Sequence, residues 1–159
     1  MFSNYFNLPL LGRLAIAVLL VSSLASNAMA HAQTEEESQK RIKSLISSTF
    51  DQPNLKVTTS PIVIEGKVAI ADWTQGSKGG RALLRRKHEH WEIIACGGAG
   101  FKEADGIAAV GISKKIANNI AAKLKTEEAK LPAQKIKQFD SFEGVVNMAH
   151  GANHTNNKH

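Results

Sequence analysis

The stretch "KVAIADWTQGSKGGRALLRRKHEHWEIIAC", residues 67–96, decides the fold. Val68 and Ile70 alternate with Ala69, Ala71 and Trp73, and a period of two puts one set on each face of a strand. "RALLRRK" (81–87) and "HWEIIAC" (90–96) repeat the extended pattern around a turn near Lys87 to His90. Upstream, Leu55, Val57 and Thr59 alternate, and Pro61-Ile62-Val63-Ile64 runs into the turn signal Glu65-Gly66. "GSKGG" (Gly76 to Gly80) reads as a flexible connection. These connections are too short for helical crossovers, so the sheet is expected to be antiparallel.

Working outward, the period changes to that of a helix on both sides. Thr34-Glu35-Glu36-Glu37 has the form of a capping box, and Ile42, Leu45, Ile46 and Phe50 follow at helical spacing. Asp51-Gln52-Pro53-Asn54 ends that helix near Phe50. Beyond the "GGAG" at 97–100, Ser113 is placed to cap a second helix with Ile116, Ala117, Ile120, Ala121 and Leu124 on one face. Pro132 breaks it, and Ile136, Phe139, Phe142 and Val145 anchor the chain end. The expected class is α+β: an N-terminal helix packed on a four- to five-stranded antiparallel meander, with C-terminal helices. That shape recurs in cystatin-like and nuclear-transport-factor-like folds.

The first 30 residues read differently. Arg13 precedes an apolar run from Leu14 to Val21, and Ala28-Met29-Ala30 closes the stretch in the form of a signal-peptidase site. The run is shorter than the roughly 20 residues a membrane span needs. Residues 1–30 are therefore expected to be a signal peptide, with an alternative cut after Ala32. The mature protein is expected in the periplasm, as a monomer that does not span the membrane. Residues 31–100 would form the sheet domain, 101–142 its helical part, and 143–159 a flexible Met/His tail.

Removing residues 1–30 lowers the net charge from +6 to +5. The lysines are scattered and the aromatics few, so the interleaved basic and aromatic face of a nucleic-acid platform is missing. Cys96 is the only cysteine, which excludes an intramolecular disulfide. No nucleophile elbow or phosphate-binding loop occurs in its required context, and no enzymatic activity is expected.

The chemistry-bearing residues are the histidines and one methionine. "NMAHGANHTNNKH" (147–159) offers Met148, His150, His154 and His159, a thioether with imidazoles that suits copper, zinc or nickel being alternatives for the imidazoles. A solubilising end is the plainer reading. If the cut follows Ala30, the α-amine and imidazole of His31 form a chelate suited to Cu(II). In "KHEHW", His88 and His90 straddle Glu89, and in extended backbone both imidazoles would reach one metal; a polar hairpin turn is the alternative. Cys96 reads most simply as a buried thiol.

The block at 71–100, "ADWTQGSKGGRALLRRKHEHWEIIACGGAG", followed by "FDSFEGVVNMAHG" (139–151) and a His-containing tail, resembles the bacterial copper uptake system-associated protein family. The matching positions are Trp73, Gln75, Gly76, Gly79, Gly80, Arg81, Arg85, Arg86, Trp91 and Cys96, with Phe142, Glu143 and Gly144 before the tail. The resemblance implies a periplasmic accessory of copper uptake that binds copper and presents it to copper transport proteins of the envelope. The tail here is poorer in histidine than the family's usual ending. A metal-free adaptor, contacting an acidic partner through Arg81, Arg85 and Arg86, is the alternative; those arginines would equally pair internally.

Overall fold

The computed structural model describes residues 34–148, so His31, His150, His154 and His159 lie outside the described residues. The described residues fall in two units that divide between Ser38 and Gln39. Residues 34–50 are helical (α1), and the part from Gln39 onward belongs to the second unit, to which the following description applies.

Four strands follow as a meander: β1 (Thr58–Glu65), β2 (Val68–Gln75), β3 (Lys78–Lys87) and β4 (His90–Gly97). A 3-10 turn (Ala99–Lys102) leads to α2 (Ala104–Ala109), α3 (Lys114–Glu128) and α4 (Ala133–Asp140). The chain then returns to the sheet as β5 (Val145–Asn147), and the strand order is β1-β2-β3-β4-β5, antiparallel throughout. The class is α+β. Pro61, which has no N–H to give a ladder, sits on edge strand β1 where its register with β2 shifts between Thr59 and Ile62.

The period of two in β2 explains the layering. Val68 and Ile70 join Val63, Leu83 and Ala95 beneath α2 and α3, where Ile107, Ala117, Ile120 and Leu124 complete a buried cluster. Ala69 and Ala71 point the other way, joining Ala82, Leu84 and Trp91 beneath Ile42 and Ile46 of α1. The small alanines let α1 lie close to the sheet. Burial on both faces makes the meander a central layer, which goes beyond the single packed helix expected from sequence.

Two expectations change. Lys78, Gly79 and Gly80 are strand residues, paired with Gln75, Thr74 and Trp73, so only Gly76 and Ser77 turn the chain. The glycines serve close approach: a Cβ on Gly79 would lie 2.6 Å from the Gln138 carbonyl oxygen of α4. Second, residues 145–147 of the segment read as a tail are a strand, with Cys96 opposite Val146 and Ala95 opposite Asn147.

Candidate functional site

The site is assembled at the β4–β5 edge on the α1 face. The register of β4 on β3 shifts between Leu83 and Leu84, leaving Ile94 as an extra residue. That irregularity turns Cys96 to the side where Trp91 and Ile93 already lie, although a strict period of two would put it on the other. Val146 faces Cys96 across the ladder, and the Met148 N–H donates to the Ile94 carbonyl at 2.9 Å. Met148 thereby packs on the cluster that contains Cys96.

Together Phe50, Trp73, Gln75, Cys96, Phe142, Val146 and Met148 line a recess of about 240 Å³. Trp73 and Phe142 meet edge to face, with centroids 6.0 Å apart and planes at 81°. The Gln75 amide is committed to the wall, donating to the carbonyls of Phe50 (2.8 Å) and Leu55 (3.0 Å). The indole Nε1 of Trp73 is buried without a hydrogen-bond partner. Cys96 is 5% exposed, and burial pushes its thiol up to about 11 from the usual 9.0, so it carries its proton at neutral pH.

The opposite face carries a cluster of different chemistry. Arg81 of β3 is wholly buried and donates to Glu128 of α3 through Nε (2.8 Å) and Nη2 (2.6 Å). Its Nη1 donates to Asp140 Oδ1 at 2.8 Å and to the Gly98 carbonyl at 3.0 Å. Asp72, its cross-strand neighbour, has Oδ1 3.6 Å from Arg81 Nε, and among the described residues no donor reaches either of its oxygens. Burial first, then the charge of Glu128 and a hydrogen bond the protonated carboxyl can give it, then the charge of Asp140, raise Asp72 from 3.8 to about 8, against the attraction of Arg81. Lys102 reaches Asp140 Oδ2 at 3.4 Å. This network ties α3, α4 and the loop after β4 to the sheet. A cleft of about 570 Å³ lies beside it, lined by Lys102, Asn118, Lys125, Glu128 and Ile136 among others.

The residues expected to bind metal divide accordingly. Met148 is in the recess. His88 and His90 are exposed at the far end of β4, some six residues from Cys96, or roughly 20 Å at the rise of a strand. His88 occupies the turn with φ +55°, so the extended-backbone argument that would put it on one side with His90 does not apply. Among the described residues, no group of three or more His, Cys, Asp or Glu is placed to hold a metal ion. Of the adaptor's arginines, Arg81 is internal, Arg86 lies over the Trp91 ring at 5.8 Å, and exposed Arg85 donates to the Gly111 carbonyl at 3.2 Å.

Sequence reasoning took Cys96 and Met148 separately and missed their meeting. The only local signal was the β-branched pair Val145-Val146 just before Met148, too short to read as a strand. Among the described residues, no helix is long and apolar enough to cross a membrane. No protein-family model matches the chain, and neither a curated protein nor a solved structure matches it.

Proposed function

We propose that this protein is an exported, periplasmic accessory of copper acquisition, which binds copper through its C-terminal Met/His segment and presents it to an envelope transporter. One observation carries the reading. Met148, the first donor of that segment, is held to the sheet by β5 and shares an apolar recess with the only thiol of the chain. Thioether and imidazole donors in succession fit copper by ligand softness. The composition of residues 147–159 and the resemblance set out above support the same cargo. His31 would add an N-terminal chelate if export exposes it.

The adaptor reading is weakened by the burial of Arg81, which turns its charge inward to Glu128 and Asp140. The test is a copper titration of the mature protein against a competing chelator, beside a chain ending at Val146. Loss of one bound copper in the shortened chain is expected. Absence of binding above background in the mature protein, with either Cu(I) or Cu(II), would overturn the copper assignment. Intact mass of the exported protein fixes its N-terminus, with His31 as the first residue expected.

A further inference from the structure

We infer that the recess between β2, β4 and β5 is a seat for monovalent copper, held by Cys96 Sγ as thiolate and Met148 Sδ as thioether. The inference rests on the copper reading above and adds the oxidation state and a ligand, Cys96, that the Met/His segment does not include.

Three features select Cu(I). The first is the donor set. Both metal-ligating side chains of the lining are sulfurs, and soft thiolate and thioether ligands favour Cu(I) over the harder divalent ions. The second is charge. Phe50, Trp73, Phe142 and Val146 supply the rest of the apolar wall, and Gln75 is the one polar side chain in it apart from the thiol and the indole. A thiolate with Cu(I) is a neutral pair, which an apolar recess tolerates. The same thiolate with Zn(II) or Cu(II) leaves a net positive charge there, at a desolvation cost of several kcal/mol per buried ion. The third is space: about 240 Å³ of partly open recess lies beside the thiol, room for an ion to reach both sulfurs.

The binding step balances without an oxidant. The Cys96 S–H bond breaks as the S–Cu bond forms, the proton passes to solvent, and copper stays monovalent. Only the thiolate ligates, so metal and proton exchange. Entry is at the edge: β5 is three residues long, and Val145 and Val146 are 50% and 49% exposed. Trp73 lines the same recess, so its fluorescence reports occupancy.

The experiment uses the mature protein under reducing, anaerobic conditions, titrated with Cu(I) against a chromophoric chelator and with Ag(I) as a redox-inert probe of the same charge. One equivalent of Cu(I) is expected, releasing about one proton, with affinity rising about tenfold per pH unit through the neutral range. Cys96→Ser and Cys96→Ala should each weaken Cu(I) binding by about 100-fold or more, beyond the 10- to 100-fold typical of residues that only support a ligand. Met148→Leu should weaken it by a smaller factor. A chain ending at Met148 keeps both sulfurs and should keep the site. Ag(I) should alter Trp73 emission, read in a Trp91→Phe background, and fail to do so after Cys96→Ala. If both Cys96 variants, folded by circular dichroism, bind Cu(I) like the parent while the chain ending at Val146 does not, copper belongs to the tail and the seat is overturned alone. If the parent binds neither oxidation state, the copper reading falls with it.

Discussion

The two faces of one sheet handle buried polarity in opposite ways. Beneath α3, Arg81, Glu128 and Asp140 satisfy one another with bonds of 2.6 to 2.8 Å. Beneath α1, Cys96 and Met148 face an open recess with apolar neighbours and no charge to answer. The first region is closed around Arg81, whose donors are matched, and it leaves Asp72 beside them protonated. The second leaves soft donors unspent. Buried charge is costly unless paired, whereas sulfur is nearly apolar and waits without penalty. The contrast gives one face a fixed ionic tie and leaves the other with an open recess.

The strongest way to break that division is Arg81→Met. Removing the guanidinium strands the Glu128 carboxylate in the interior, and a loss of about 3–5 kcal/mol of stability is expected by urea denaturation. Adding Glu128→Gln should restore part of it, because the uncompensated charge goes with it. If Arg81→Met costs less than about 1 kcal/mol, the cluster does not hold α3 and α4 to the sheet.

Next in size is Gly98→Ala. A Cβ there would collide with the Phe142 carbonyl oxygen, and the chain carrying β5 must shift. About 1–3 kcal/mol is expected from such overpacking. The loss should show locally, as faster amide exchange at Met148, whose N–H is held by the Ile94 carbonyl. Because Gly98 also accepts from Arg81, this glycine is where the charged face supports the sulfur face. Uniform loss of protection across the domain would show that the two faces are not linked there.

Asp72 tests the same cluster by pH. Its folded value, about 8, stands above the ordinary 3.8, so between those values the folded state binds the extra proton. Stability from this group is therefore fully present below about pH 4, falls as pH rises, and is lost once pH passes about 8. Asp72→Asn should flatten that decline, gaining on the parent most steeply between pH 4 and 8 and no further above it. Parallel pH profiles of the two proteins would show that Asp72 is ionised in the fold at neutral pH.

Much of the fold was legible because it rests on local period. Val68 and Ile70 against Ala69 and Ala71 assigned both faces of β2 correctly, and Ala117, Ile120 and Leu124 line the buried side of α3 as their spacing required. What failed was what only distance in sequence creates. Arg81 opens "RALLRRK" (81–87), where internal pairing was one of two readings, but its partners, 47 and 59 positions away, could not be named from sequence. Gly79 and Gly80 carry the composition of a loop, but α4 and Trp73 need their missing side chains. β5 is only three residues long and backbone bonds to β4 define it, so the pair Val145-Val146 was too brief a signal to announce that Met148 would meet Cys96.

The smallest effect comes from α3 itself, which carries both a buried and an exposed ion pair. Lys123 Nζ lies 2.8 Å from Glu65 Oε2 and also donates to the Ile64 carbonyl at 2.8 Å. The hydrogen bonds of Lys123 and Asn119 hold Glu65 below its usual 4.5, so its stabilising share is present above that pH and fades as pH falls through the lowered value. Both side chains reach solvent, which screens them. Lys123→Met should therefore cost only about 0.2–0.5 kcal/mol, while NMR titration shows Glu65 returning toward its ordinary value. One helix would then carry a pair whose loss is barely felt and, at Glu128, a pair whose loss costs about 3–5 kcal/mol. That difference is set by water, not by distance, since the two pairs are almost equally short. A cost at Lys123 approaching that of Arg81→Met would show instead that α3 is held from its exposed flank.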